Sequence, residues 1–351
     1  MDHVGIDLGS LKSHVCVLDG AGALRAQREV PTAELATYLG RFKGRAVMES
    51  CTQSRKVAEL ARAAGLDVVV VPGTFVRQLG VGSRGIKTDV KDAEHLARAS
   101  LRNADLPSVR PCCARSRDHR SLLQTRQQLV RARTRLVASI KTYLRGELIV
   151  LKGRALPSTF RTAVEGVLMA RPEGVPLHIS VTLDAVEQLN EQISRLDAAI
   201  ADIVRDDKVC QRLMTVPGVG PIVSLAFASL VDEISQFPNA EHLASYLALV
   251  PGENTTGGKI KRTGVIKAGP PLIRSVLVQA AWSMWRSQSE TPIVKWAMGI
   301  AERKGKKVAV RALARKLSAV MYAMWRSERP YNPTLPSHAP PATIRAHRAT
   351  T

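Results

Sequence analysis

The amino-acid sequence predicts an α/β domain over the first third of the chain, followed by a mainly α-helical remainder. Three observations carry this. Short apolar runs bounded by turn residues alternate with helical patterns up to residue 71. Two long segments, Arg115 to Arg145 and Thr182 onward, repeat apolar residues every seven positions. Beyond residue 205, helical patterns are separated by Pro-Gly punctuation. The implied boundaries are an α/β domain over 1–110, a coiled-coil and linker region over 111–205, a helical C-terminal domain over 206–332, and a Pro-rich basic tail over 333–351, expected to be disordered.

Residues 3–8, His-Val-Gly-Ile-Asp-Leu, form an apolar strand, and Gly9-Ser10 turns the chain. His14 to Asp19 is a second strand and Leu24 to Val30 a third. Pro31-Thr32 opens a helix to Gly40, and Ala46 to Glu49 is a fourth strand. Gln53 to Ala64 is helical and closed by Gly65. Val68 to Val71 is a continuous apolar strand of the buried, parallel type. Three antiparallel-type strands and then alternating helix and strand make a sheet with helices on its faces.

Four acids stand out on this frame. Asp7 and Glu49 each end an apolar strand, where open α/β sheets place ligands. Asp89 and Asp92 lie three apart at the start of the apolar-periodic run Ala93, Leu96, Ala97, Leu101, so a helix sets both on one face. Singly, each reads equally as a strand-end or helix-start surface acid. Together, four converging carboxylates need cations and suit a pair of Mg²⁺ ions clamping a phosphodiester. Before this helix, residues 74–87 form a glycine-punctuated basic loop, either a phosphate-tracking segment or a plain connector.

The chain has 351 residues, a formal net charge of +21 and 45% hydrophobic residues. So basic a chain meets polyanions, nucleic acid first. Aromatics are only 4%, so stacking on aromatic platforms does not dominate the contact. Five cysteines without a CxxC pair exclude a disulfide framework and a zinc site and point to a reducing cytosol. Met1-Asp2-His3 runs straight into a strand rather than a signal peptide, and no apolar run approaches membrane-spanning length.

The helix from Arg115 to Arg145 carries Leu122, Leu129 and Leu136 every seven residues, widened by Val137, Ile140 and Leu144. Its charge is almost entirely of one sign, which marks it for phosphate contact, with Arg126, Arg133 and Lys141 among the contacting cations. Residues 146–178 read as a linker with short helical pieces. In the second run, Val186, Ile193 and Ile200 form one row and Leu189, Leu196 and Ile203 the other. The two helices pack on each other or on a second copy; the heptads are too few to choose.

Pro217-Gly218-Val219-Gly220-Pro221 between two helical stretches resembles a helix-hairpin-helix, with Gly218 and Gly220 exposing amides to phosphate. An ordinary helical hairpin has the same punctuation. Residues 254–269 crowd hydroxyls, glycines and cations into one loop. A hydroxyl attacking phosphate needs cations against the developing charge; Lys259, Lys261, Arg262, Lys267 and, on the next helix, Arg274 supply them. Lys306 to Trp325 is an amphipathic basic helix whose apolar face, Val310, Leu313, Leu317 and Met321, is core.

Gly5-Ile6-Asp7, Met48-Glu49-Ser50 and Thr88-Asp89-Val90-Lys91-Asp92-Ala93 resemble, in order and spacing, the RuvC-like DEDD domain of a class of bacterial insertion-sequence transposases, the RNA-guided bridge recombinases. The later stretch is similar to that family's C-terminal, serine-type transposase domain, whose pattern is Ser-Gly, basic residues, Lys-x-Gly and Leu-x-Arg; Lys306 to Leu317 follows the family too. The resemblance spans residues 3–332. It implies an RNase H-like (RuvC-like) fold and Mg²⁺ or Mn²⁺ at Asp7, Glu49, Asp89 and Asp92. It implies a homo-oligomer, dimer or tetramer, whose composite site takes acids from one subunit and a hydroxyl from another. It also implies an element-encoded non-coding guide RNA that selects target and donor DNA, in the cytoplasm at the bacterial nucleoid. Thr256 stands where the family has its serine nucleophile, with Thr255 as the fallback. Its methyl stiffens χ1 and crowds in-line attack, so Thr256 is a slower nucleophile or marks a copy that has lost strand transfer.

Two other functions share these features. One is a metal-dependent Holliday-junction-type nuclease without a covalent intermediate. The other is a nucleic-acid-binding protein that keeps the charge and not the chemistry. A protein–DNA adduct separates the first from a transposase, and metal-dependent cleavage excludes the second.

Overall fold

The computed structural model describes residues 1–78, 89–109, 112–151, 159–256, 259–265 and 269–333. The chain divides into two compact units, Met1–Cys112 and Cys113 onward. In the first, β1 (Asp2–Asp7), β2 (Lys12–Leu18) and β3 (Leu24–Pro31) run as an antiparallel meander. After α1 (Leu35–Leu39), β4 (Gly44–Glu49) returns parallel to β1; after α2 (Ser54–Ala63), β5 (Asp67–Val71) adds parallel to β4. The sheet order is β3-β2-β1-β4-β5. α3 (Gly73–Gln78) and α4 (Asp89–Arg102) complete the unit.

The two-residue period of the strands sorts their side chains. Val4, Ile6, Ala46, Met48, Val68 and Val70 point into one core with residues of α1 and α2. On the other face, Cys16 and Leu18 meet Ala93 and Ala97 of α4, and Val47 and Val71 meet Leu96 and Ala99. The basic stretch 74–87 is thus not loop throughout: its beginning lies in α3, and positions 79–88 lie outside the described residues.

In the second unit α5 (Ala114–Gly146) and α7 (Leu177–Asp206) form an antiparallel helical hairpin. Arg126 meets Asp197, Arg133 meets Asn190 and the Tyr143 ring meets His178, so contacts descend one helix as they climb the other. Within the chain, α7 packs along α5. Val186, Ile193 and Ile200 are buried, and Leu189, Leu196 and Ile203 are half-buried. The stretch 146–178 holds α6 (Phe160–Leu168), whose Phe160, Val164 and Leu168 pack with Ile140, Leu144 and Leu183. Arg161 rivets α6 to α7, binding Glu165 of its own helix and Asp184 and Glu187 across the gap.

The remaining helices are α8 (Lys208–Leu213), α9 (Pro221–Val231), α10 (Ala240–Tyr246), α11 (Pro271–Ser287), α12 (Pro292–Lys304) and α13 (Lys306–Ser327). They share one core with Leu123 of α5 and Ile200 and Val204 of α7. The expected apolar face Val310, Leu313, Leu317 and Met321 lies in that core. The stretch expected to be a loop contains β6 (Pro251–Thr256) paired antiparallel with β7 (Lys259–Val265). The expected disordered tail from 334 lies outside the described residues.

Candidate functional site

Asp7 is the last residue of β1 and Glu49 the last of β4. The parallel register sets Ile6 opposite Met48, so the two acids are neighbours on one sheet edge. Strand alternation puts Asp7 on the face of Gly5 and Glu49 on the face of Val47, the face that α4 covers.

α4 reaches that face because position 5 is glycine. A Cβ there would lie 1.9 Å from the carbonyl oxygen of Ala93 and 2.5 Å from the amide nitrogen of Ala97. One turn farther along α4, Ser100 Oγ and His3 Nδ1 are 2.9 Å apart. The helix therefore runs against the direction of β1, and its first turn lies toward the strand's C-terminal end. That turn begins at Asp89 and contains Asp92. The side chain of Asp89 lies outside the described ones; its backbone position precedes Asp92 by three residues.

Asp92 is only 7% exposed, and its Oδ1 is buried with no hydrogen-bond partner among the described residues. A buried carboxylate oxygen without a donor is costly unless a cation or proton meets it. Glu49 lies against the start of α3, where a Cβ on Gly73 would sit 2.5 Å from its Oε1. The donor chemistry, hard carboxylate oxygens with one orphaned, fits Mg²⁺ or Mn²⁺. Among the described residues no three His, Cys, Asp or Glu side chains are gathered closely enough to hold a metal ion. The four-acid set includes the undescribed Asp89 side chain.

Thr256 ends β6, and the register places it opposite Lys259; Thr255 faces Ile260, Asn254 faces Lys261 and Glu253 faces Arg262. The side chains of residues 253–268 lie outside the described ones, as does Lys267 altogether. Arg274 is half-buried on α11.

Of the cations expected to touch nucleic acid along α5, Arg126 and Arg133 are engaged with α7 and exposed Lys141 lies near Phe160 of α6. Arg126 donates through Nε and Nη2 to both carboxylate oxygens of Asp197, the second at 3.2 Å. Arg133 Nη1 donates to Asn190 Oδ1 at 3.2 Å, and Lys141 Nζ lies 6.0 Å from the centroid of the Phe160 ring. The one-sign charge of α5 is partly answered by α7, which a reading of α5 alone does not see. Gly218 has a packing duty: with φ at +85°, its Cα faces α11, and a Cβ would lie 2.7 Å from the Ala280 carbonyl oxygen. Gly220, the N-cap position of α9, has open space beside it.

Sequence reasoning missed Gly5, Gly73 and the His3–Ser100 contact. A glycine inside an apolar strand was the available signal, since it marks a close backbone approach.

Two family models match separate stretches of the chain. Residues 4–148 match the DEDD transposase family of the IS110 type, and residues 210–293 match a family described as Transposase IS116/IS110/IS902. A "Probable family 20 transposase" of Pseudomonas aeruginosa is 27% identical over 343 residues, covering 95% of this chain and 99% of its own length. The transposase for insertion sequence element IS1111A of Coxiella burnetii is 25% identical over 335 residues, covering 93% and 90%. The transposase for IS1328 of Yersinia enterocolitica is 25% identical over 331 residues, covering 92% and 96%. The chain is an enzyme of the DNA transposase class, and its first unit fits a RuvC-like fold. Within that class, its two matched segments are similar to transposases of the IS110/IS116 type. No helix among its described residues is long and apolar enough to cross a membrane.

Proposed function

We propose that this transposase cuts and rejoins DNA by phosphoryl transfer, with Asp7, Glu49, Asp89 and Asp92 as ligands of Mg²⁺ or Mn²⁺ and Thr256 as the nucleophile. The observation that carries the metal reading is the buried Oδ1 of Asp92, without a partner among the described residues, on a helix laid by Gly5 over the edge that ends in Asp7 and Glu49. Bound there, the metal neutralises charge on the phosphodiester and polarises its oxygens. In the step assigned to Thr256, Oγ bonds to phosphorus as one backbone P–O bond breaks. The hydroxyl proton goes to a base, and the departing sugar oxygen takes up a proton. The Lys259 position across the ladder suits a cation against the charge that develops. An element-encoded guide RNA and a homo-oligomer belong to this reading on the family resemblance. The +21 charge supports a polyanionic partner.

Two measurements test it. Mn²⁺ at about 100 times its dissociation constant stabilises a specific site by about 2.7 kcal/mol; the wild type should show a rise in melting temperature on adding Mn²⁺ and Asp92→Asn none. Without metal, Asp92→Asn should melt no lower than wild type, since the buried charge is gone. On DNA carrying the element ends, Thr256→Ala should abolish the covalent adduct and Thr256→Ser keep or raise it. An adduct that persists in Thr256→Ala sends the assignment to Thr255; metal-dependent cleavage by the wild type with no adduct at all leaves the metal-only nuclease as the better account.

A further inference from the structure

We infer that the outward stripe of α5, through Arg131, Arg135 and Arg145, is a track for a nucleic-acid sugar-phosphate backbone, and that the arginines facing α7 are no part of it. The inference deepens the reading above and rests on it for the identity of the polyanion.

α5 carries nine Lys and Arg residues against one acid, Asp118. The fold sorts them. Arg115 reaches Asp207 at 3.3 Å; Arg120 donates to the carbonyl oxygens of Ser229 and Leu230 at 2.8 and 3.0 Å. Arg126 and Arg133 are bound to α7, Arg117 lies 3.6 Å from Asp118, and Lys141 lies over Phe160. Arg131, Arg135 and Arg145 are exposed and have no hydrogen-bond or ion-pair partner among the described residues. At 100° per residue the three fall on one side of the helix, opposite the buried Ile140 and Leu144. Exposed Gln124 and Gln128 share that side, so the stripe offers donors and no carboxylate.

The arrangement runs against helix stability. Arg131 and Arg135 are like charges at i,i+4, where a solvated helix gains by alternating sign. At 1.5 Å per residue they stand about 6 Å apart along the axis, with Arg145 about 15 Å farther on. A row of guanidinium forks at such spacing suits successive phosphates, each taken bidentately. On α7 the exposed acids are largely answered: Asp184 and Glu187 are bound by Arg161 and Asp202 by Arg205, with exposed Glu191 and Asp206 beside them. A polyanion therefore lies along the outward side of α5, where the arginines are without acids.

The test uses the full chain with two probes of one sequence, a 30-base-pair DNA duplex and a 30-nucleotide single-stranded RNA, titrated by fluorescence anisotropy at several NaCl concentrations. The slope of log affinity against log salt loses about 0.9 per B-form phosphate contact and about 0.7 per single-strand contact. The triple variant Arg131→Gln, Arg135→Gln, Arg145→Gln should flatten the slope by about two to three units on at least one probe, with its melting temperature kept. The double variant Arg126→Gln, Arg133→Gln should lower the melting temperature and leave the slope within half a unit. Flattening on RNA alone assigns the track to RNA, on DNA alone to DNA, and on both to either backbone. An unchanged slope on both probes overturns the inference, as does equal flattening per charge in the two variants, which would make overall charge the cause. Thr256→Ala adduct formation is read separately, so loss of the track and loss of the catalytic reading are distinguishable.

Discussion

At the scale of single residues, Gly5 governs the acidic edge. It has no catalytic chemistry, yet the carbonyl of Ala93 occupies the space its Cβ would need. Because the obstacle is backbone, α4 as a whole must shift to admit a methyl. Gly5→Ala should therefore destabilise the first unit by about 1–3 kcal/mol, the range for overpacking. It should also weaken the Mn²⁺-induced stabilisation, because α4 carries Asp89 and Asp92. Differential scanning calorimetry with and without Mn²⁺ checks both; an unchanged metal response would separate α4 placement from metal binding. The four acids were legible as residues because Asp7 and Glu49 end apolar strands and Asp89 and Asp92 open an apolar-periodic helix. The glycines that position them were less legible, since a glycine announces a close approach without naming what approaches.

At the scale of elements, the α5–α7 hairpin shows how far periodicity goes. The seven-residue rows were visible in sequence: in α7 Val186, Ile193 and Ile200 are buried, whereas in α5 Leu122, Leu129 and Leu136 are half-buried and Leu123, outside the row, is buried. The partner was not visible, because so few heptads carry no unique register. Arg126 and Asp197 supply part of the register, with the Arg126 side chain 19% exposed and that of Asp197 41% exposed. Since Asp197 is substantially solvated, the pair is discounted to about 1 kcal/mol. Arg126→Ala should lower the melting temperature of the second unit by about 2–4 °C. In a double-mutant cycle with Asp197→Ala, a coupling near zero would show that register rests on the apolar rows alone. The β6–β7 ladder is the opposite case. Gly257-Gly258 between two runs is a hairpin signal in sequence, but the density of cations and hydroxyls around it reads as loop.

At the scale of the whole molecule, each unit has its own core: the sheet packs α1 and α2 on one face and α4 on the other, while α8 to α13 share a helical core with parts of α5 and α7, and α6 packs with α5 and α7 in a second cluster. A chain of residues 113–333 expressed alone should keep a cooperative helical unfolding transition by circular dichroism, because its largest cluster draws no member from the first unit. Noncooperative melting of that fragment would show that the division is geometric and not energetic. The excess positive charge is likewise a property of the whole, and it makes any nucleic-acid affinity fall steeply with salt.

The sequence by itself determined what is local or compositional. Strand ends carry Asp7 and Glu49, a helix start carries Asp89 and Asp92, seven-residue rows make long helices, and +21 calls for a polyanion. These follow from side-chain period, turn chemistry and charge, which need no knowledge of partners. Only the tertiary structure decided which groups were already spoken for. Arg126 and Arg133 are identical in type to Arg131 and Arg135 and differ only in facing α7. Asp92 differs from any surface acid only because α4 lies on Gly5 and shuts one of its oxygens away from donors. Availability of a charged group is set by what packs against it, and that neighbour comes from a distant part of the chain.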